Sequence, residues 1–235
     1  MKRFRTFLFA RVTRVHRDEA GVTLSELIVT IALMSMLLAM VMTIFVTFTK
    51  TFAEERSATS NTAGATVAMN ELTRVIRSGT ENPVAASTLN DPVFSYAGTE
   101  RVVLQAYLDT DAANPKPVKV EFLITADRTL VEKRWNAQLQ ASGYFTFQTT
   151  AASQRTVVRQ ISTGTTSVFR YFDDSNTELT PPAGGTLTLA QRRVVAAVKV
   201  SMTIQTDPTG RAKTASLENT VGIPNLGLSR IGIDR

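Results

Sequence analysis

The sequence predicts an α+β protein in which the C-terminal half of a long N-terminal helix packs on an antiparallel β-sheet. Residues 27–49 contain no charge, so the helix begins with a segment apolar enough for a membrane. No proline interrupts the helical pattern, which continues to Arg77. After Pro83 the pattern changes to short alternating segments separated by turn residues, which is typical of antiparallel strands.

The composition excludes several kinds of catalytic site. The 235 residues include no cysteine and one histidine, His16, which excludes thiolate metal sites, cysteine nucleophiles, Ser-His-Asp triads and multi-histidine sites. The formal net charge is +6, but most of it lies in residues 1–21, and the remainder is close to neutral. A near-neutral domain lacks the electrostatic footprint of a nucleic-acid-binding protein. We therefore expect neither an enzyme nor a cofactor.

The apolar segment 27–49 is long enough to cross a bilayer as a helix, since each helical residue adds about 1.5 Å. The alternative is a cleaved secretory signal. Such a signal has a shorter apolar core, and Thr51-Phe52-Ala53 is a poor cleavage site. A retained single span is therefore favoured. Basic residues are concentrated before the span, which predicts an N-terminus in the cytoplasm and an extracytoplasmic globular domain.

The junction before the span carries a specific motif, because residues 21–29 read Gly-Val-Thr-Leu-Ser-Glu-Leu-Ile-Val. A basic leader ending in glycine, with a glutamate five residues later at the start of an apolar helix, resembles the prepilin signature of type IV pilins and type II secretion pseudopilins. The resemblance implies that a prepilin peptidase cuts after Gly21 and methylates the new N-terminus, Val22. It also implies that Glu26 pairs with the α-amine of a neighbouring subunit during filament assembly. Val22 stands where the family usually has phenylalanine, and Ser25 stands where isoleucine is commoner.

Glu26 also has a purely local interpretation. Thr23-Leu24-Ser25-Glu26 fits a capping box, in which Thr23 caps the helix and Glu26 bonds back to its start. A carboxylate in the first turn also complements the helix dipole. Inside an apolar boundary, however, a carboxylate costs on the order of 1–3 kcal/mol unless it is paired. Both roles can hold in turn, and we favour the pairing with a subunit's amine.

Beyond the span the helix is predicted to have one apolar face. Four residues recur at helical spacing and indicate core packing: Ala68, Leu72, Val75 and Ile76. The other side carries Glu71, Arg74 and Arg77. Gly79 is the predicted C-cap. Residues 57–66, rich in Ser, Thr and Asn, have low helix propensity, so we expect a bend or local melting there under load.

Seven segments are predicted as strands of an antiparallel sheet with one buried face: residues 118–124, 130–135, 144–149, 156–161, 168–172, 194–206 and 213–221. The first two are predicted to form a hairpin. In the sixth, alternation predicts one inward face made of Ala196, Val198, Val200, Met202 and Ile204. A turn is predicted at 207–210, because it reads Asp-Pro-Thr-Gly. Loops are predicted at 109–117 and 180–186, and an irregular tail at 222–235.

Two kinds of polar cluster are candidate ligand sites. Asp173, Asp174 and Asn176 offer oxygen ligands for calcium, but they lack EF-hand spacing, and a plain turn is favoured. The basic clusters at 133–135, which includes the only tryptophan, and at 191–193 are candidates for single-stranded DNA. Such runs more often line a solvated strand edge, so binding of nucleic acid is disfavoured.

The resemblance implies a structural protein with a leader (1–21), a transmembrane and assembly half-helix (22–55) and an extracytoplasmic globular domain (56–235). The expected function is that of a minor subunit of a type IV pilus or type II secretion-like filament, similar to the J-type pseudopilins, in filament initiation or at the tip. The implied partners are the prepilin peptidase, other pilin subunits and the cytoplasmic membrane. Two alternatives stay open: a filament-borne adhesin or DNA-binding minor pilin of a competence system, and an anchored domain that never assembles.

Overall fold

One long helix begins the described part of the chain. The computed structural model describes residues 21–85, 87–108, 115–163, 167–205, 213–224 and 226. Helix α1 (Leu24–Arg77) runs without a break, which confirms the helix predicted from the apolar and amphipathic patterns. The chain divides into two compact units, Met1–Phe52 and Ala53–Arg235, and α1 contributes residues to both.

Within the second unit, α1 buries one face. Its buried residues include all four positions predicted from helical spacing, and the full set is Asn61, Ala65, Ala68, Met69, Leu72, Val75 and Ile76. Arg74 and Arg77 are exposed, as predicted. Glu71 differs from the prediction, because its side chain is only 15% exposed and pairs with arginines of the sheet.

The segment of low helix propensity, 57–66, is helical in the structure. Gly64 explains why packing outweighs propensity there. A Cβ atom at this position would lie 3.2 Å from Cγ2 of Val158 and 3.9 Å from Cδ1 of Ile204, so the glycine lets the helix approach the strands closely. The burial of neighbouring helix residues then stabilises the conformation that the local sequence favours only weakly.

Two asparagine side chains connect the helix to the last strand among the described residues and to the residues just before it. Asn61, which is fully buried in α1, donates from Nδ2 to the carbonyl oxygen of Lys213 at 2.9 Å. Asn219 donates from Nδ2 to Oγ1 of Thr73, also at 2.9 Å. The two helix positions are about 18 Å apart at the usual rise, and the two strand positions about 20 Å apart. The strand therefore runs alongside this part of α1 in the same direction.

The first sheet has six strands, all paired antiparallel. The first five are neighbours in chain order, and the sixth pairs with the fourth. They are β1 (Phe94–Ala97), β2 (Arg101–Ala106), β3 (Val118–Ile124), β4 (Leu130–Leu139), β5 (Phe145–Phe147) and β6 (Ser153–Val158). The predicted hairpin of β3 and β4 is confirmed, and Arg128 in its turn adopts a left-handed φ of 58°.

The second sheet has four antiparallel strands in the order β10-β9-β7-β8. They are β7 (Phe169–Phe172), β8 (Glu178–Leu179), β9 (Ala197–Ile204) and β10 (Ala215–Gly222). A short helix, α2 (Leu189–Val194), precedes β9 and begins with a capping box between Thr188 and Gln191. Alternate burial along β9 confirms the predicted inward face at Val198, Val200, Met202 and Ile204. Ala196, predicted on the same face, precedes the strand and is only half-buried.

The α+β architecture is therefore confirmed, but the strands divide between two sheets where the sequence predicted one. Strands β1, β2 and β8 and helix α2 were not predicted. Strand β2 has five consecutive buried residues, so it lacks the alternation that marks a half-exposed strand. Strand β6 begins earlier than predicted, because Ser153 pairs with Arg134 of β4. Ile161, predicted to end that strand, instead forms an isolated bridge with Ile204.

One apolar core joins the helix face to both sheets. Its largest buried aromatic residues come from β1, β3 and β7: Phe94, Phe122, Phe169 and Tyr171. The predicted turn at 207–210, residues 109–114 of the predicted loop and most of the predicted tail lie outside the described residues.

Gly79 follows the helix, but it does not have the left-handed conformation expected of a C-cap glycine. Its N–H donates to the carbonyl of Ile76 at 3.0 Å, and the residue forms an isolated bridge with Ala106. A Cβ atom here would lie 2.8 Å from Cγ1 of Val93 and 2.9 Å from the carbonyl oxygen of Ile76. The glycine is therefore explained by close approach.

Replacing Gly79 with alanine is expected to lower the free energy of unfolding by about 1–3 kcal/mol, because the added methyl group meets a backbone oxygen that cannot move aside. Urea unfolding of the full chain in detergent measures this change. Gly222→Ala is the matched control, since a Cβ atom there has no neighbour within 4 Å. Equal stability of the two variants would contradict the steric explanation.

Candidate processing and assembly site

The predicted cleavage position precedes the first turn of α1. Gly21 and Val22 lie outside regular structure, and both are exposed. A Cβ atom added to Gly21 has no neighbour within 4 Å among the described residues. The described fold therefore imposes no need for glycine at this position. Any such need would come from a partner that binds the extended backbone.

The predicted capping box is present. Glu26 Oε2 accepts from the Thr23 N–H at 3.1 Å and from its hydroxyl at 2.9 Å, while the Glu26 N–H donates to Thr23 Oγ1 at 3.3 Å. All of these bonds to the carboxylate use one oxygen. Among the described residues Oε1 of Glu26 has no hydrogen-bond partner. The carboxylate is thus held at the helix start with one oxygen left to accept.

The helix that follows presents apolar side chains on every side. The described apolar residues from Leu27 to Phe48 are all exposed, and this is the one helix of the described chain that is long and apolar enough to cross a membrane. Its hydroxyl groups are satisfied within the helix: Ser35, Thr43 and Thr47, for example, each donate to the carbonyl four residues earlier at 2.7 to 2.8 Å. Internal bonding of this kind suits a helix in lipid.

Glu26 is the one ionisable side chain between Gly21 and Lys50. An exposed apolar helix whose first turn holds a carboxylate with an unpaired oxygen can accept a hydrogen bond or a positive charge from a neighbour. An amine is the complementary group, because a charge-assisted bond would offset the cost of holding the carboxylate at an apolar boundary.

The calcium candidate is a turn between β7 and β8, as the sequence favoured. The Asp173 carboxylate accepts from the N–H groups of Ser175 at 3.0 Å and Thr177 at 2.7 Å, and Asn176 has a φ of 60°. Both bonds are accepted by Oδ1 of Asp173, as is typical of a local turn. Among the described residues, no three histidine, cysteine or carboxylate side chains lie together as metal ligands would.

The first basic candidate, residues 133–135, is divided by the pleat of β4. Arg134 pairs with Glu71 and Glu132 on the helix side of the sheet. Lys133 and Trp135 lie on the opposite face, where Lys133 is 3.8 Å from Glu121. The three side chains therefore do not form one patch.

The arginines of the second basic candidate, residues 191–193, bond to backbone carbonyls. Arg192 donates to Phe94 at 3.2 Å and also to Ser95, and Arg193 donates to Asn90 at 2.8 Å. These contacts join α2 to β1 and the segment before it. They are structural contacts within this domain.

Sequence reasoning missed a cluster of charges between α1 and the first sheet. Glu132, whose side chain is fully buried, pairs with Arg134 and Arg155, and Glu71 pairs with Arg74, Arg134 and Arg155. Burial alone would raise the pKa of Glu71, but the hydrogen bond from Arg74 and the charges of Arg74, Arg155 and Arg134 hold that pKa below its ordinary value. The one local sign of this cluster in the sequence was Glu132, a glutamate at an inward position of a predicted strand.

These features define a class of protein: an exposed apolar anchor helix with a capped glutamate in its first turn, continuous with an α+β domain. Comparison with known families agrees with this description, since the family described as the prokaryotic N-terminal methylation motif matches residues 16–42. The chain therefore carries the N-terminal signature of type IV pilins and pseudopilins. The signature implies processing by a prepilin peptidase and assembly with other pilin subunits. A search of curated proteins gives no match.

Proposed function

We propose that the chain is a minor structural subunit of a type IV pilus or type II secretion-like filament, cut after Gly21 and methylated on Val22. The observation that carries this proposal is the junction itself: an exposed, sterically unconstrained glycine, then a capped glutamate with one free oxygen, then an apolar helix. In the assembled filament, Glu26 would accept the α-amine of a neighbouring subunit.

The proposed place in the filament is its tip or initiation complex, as in J-type pseudopilins. Support comes from the size of the domain after the anchor, which holds two sheets and the second half of α1. A domain of this size is harder to repeat along a filament than a small one. We also propose that the protein is not an enzyme and that its domain lies outside the cytoplasmic membrane, which agrees with the basic leader.

The experiment is an intact-mass and N-terminal peptide measurement on protein from its native membrane. We expect a chain that starts at Val22 and carries one added methyl group. Gly21→Ala is expected to keep the leader. Because the described fold has space for that methyl group, loss of processing would reflect the peptidase and not misfolding. Gly222→Ala is the control and should be cut normally.

An intact wild-type leader, in a cell that processes its other prepilins, would contradict the proposal and favour the anchored domain that never assembles. The DNA-binding alternative has little support in the described structure. The arginines of both basic clusters already bond to carboxylates or carbonyls of this chain. No observation specifically favours an adhesin.

A further inference from the structure

The outer face of the first sheet carries cations and aromatic rings together. Lys119 of β3 is opposite Trp135 of β4 and opposite Gln105 of β2. Phe147 of β5 is opposite Ala137, so it lies on the same face as Trp135, two residues along. We call Lys119, Trp135, Phe147 and Gln105 the Lys119 site.

Lys119 differs from the other cations on this face, because it has no carboxylate partner among the described residues. Arg101 lies 2.6 Å from Glu121, and Lys133 lies 3.8 Å from the same carboxylate. The Lys119 ammonium lies 4.7 Å from the ring centroid of Trp135 and 5.7 Å from that of Phe147. The rings hold the cation in place but leave its charge without a counter-ion.

Two further observations agree that this cation is incompletely satisfied. Burial lowers the pKa of Lys119 below its usual range, and the charge of Glu121 only partly offsets the effect. Beside it, Gln105 is 5% exposed, and its Oε1 has no hydrogen-bond partner in the described structure. An unpaired cation and an unpaired acceptor thus lie next to each other, although buried polar groups are usually paired.

We propose that the Lys119 site receives an acidic segment of a neighbouring subunit, with a Glu or Asp carboxylate on Lys119 and apolar atoms against Trp135 and Phe147. A peptide supplies the missing counter-ion, because its carboxylate pairs with the ammonium, and its apolar atoms cover the two rings. The choice of a subunit as the source rests on the proposed function.

A nucleic acid fits this face less well. Binding to its backbone requires several cations that contact successive phosphates. Here Glu121 already pairs with two of the three cations, which leaves one unpaired. One localised positive charge between two rings suits a single carboxylate.

Trp135 provides the readout, because it is the only tryptophan of the chain. The full chain in detergent is titrated with the peptide Ac-Glu-Phe-Glu-Phe-Glu-amide, and tryptophan emission is recorded. The peptide in which glutamine replaces each glutamate is the matched probe. We expect the glutamate peptide to bind at least about tenfold more tightly.

The variants test the assignment to Lys119. Lys119→Met should weaken binding of the glutamate peptide about tenfold, and Lys119→Arg should restore it. Lys199→Met is the control, since Lys199 pairs with Glu218 on the second sheet and should leave binding unchanged. Glu26→Ala should also bind normally, so failure of filament assembly is distinguishable from failure of this site.

Three results would overturn the proposal. Equal binding of the two peptides would mean that the carboxylate is not recognised. Tighter, Lys119-dependent binding of oligothymidylate would assign the site to nucleic acid. A changed tryptophan emission in the peptide-free Asp109→Asn/Asp111→Asn double variant, together with tighter binding of the glutamate peptide, would mean that the chain's own aspartates supply the counter-ion.

Discussion

Replacing Glu26 with alanine is expected to leave the processed protein in the membrane and to remove it from filaments. The substitution deletes the one carboxylate at the apolar boundary, so under the proposed function a neighbouring subunit's amine would lose its partner in lipid. An unpaired charge at an apolar boundary costs on the order of 1–3 kcal/mol, which corresponds to incorporation lowered about 5-fold to 150-fold. Quantitative blotting of sheared filaments against membranes measures this ratio.

The Glu26→Gln variant distinguishes the role of the carboxylate charge from the role of the side chain as a helix cap. Glutamine serves in a capping box as glutamate does, so it can keep the bonds to Thr23 while losing the charge. If pairing with an amine is the role of Glu26, the alanine and glutamine variants both fail to assemble. If glutamine assembles normally, Glu26 is only a helix cap. Ser25→Ala is the neighbouring control and should assemble.

The largest expected loss of stability follows from replacing Glu132 with alanine. Its side chain is fully buried and pairs with Arg134 and with Arg155, whose Nε lies 2.7 Å from Oε2 of Glu132. Removing it leaves the guanidinium groups of Arg134 and Arg155 with Glu71 as their carboxylate partner, and Glu71 also pairs with Arg74. Breaking a buried ion pair from one side typically costs about 3–5 kcal/mol. Urea unfolding of the full chain in detergent, followed by the emission of Trp135 on the same strand, measures the loss.

The exposed pair of Arg170 and Glu178 on the second sheet gives the control. Its two side chains are about one-third exposed, at 32% and 36%, so Glu178→Gln should cost no more than about 1 kcal/mol. A loss for Glu132→Ala as small as that of the control would mean that solvent compensates the arginines. The cluster would then contribute little to the attachment of the helix to the sheet.

The features that could be predicted from the sequence depend on residues close together in the chain. The capping box, the uncharged span and the stripe ending at Ile76 each depend on neighbouring residues, so their periods and caps are directly readable. The hairpin of β3 and β4 was readable for the same reason. The cleavage at Gly21 and the pairing of Glu26 remain predictions, since they concern events between molecules.

What could not be predicted depends on distant residues. The division into two sheets is decided by pairings such as that of Phe169 with Val200, which no local pattern encodes. The charge cluster joins Glu71 to Arg134 and Arg155, far apart in the sequence. Strand β2 was not predicted because it is buried on both faces and therefore shows no alternation of polar and apolar residues. Helix α2 was not predicted because it is too short to show a helical period.

The asparagine contacts between α1 and β10 have a mechanical consequence. In the proposed filament the subunit would be pulled along its helix, and the bonds of Asn61 to Lys213 and of Asn219 to Thr73 are spaced along that direction. Tension on the helix therefore loads them together in shear, and sliding by one residue would break both at once. A domain attached in this way resists extraction until several contacts fail simultaneously, whereas contacts placed end to end would peel off one after another.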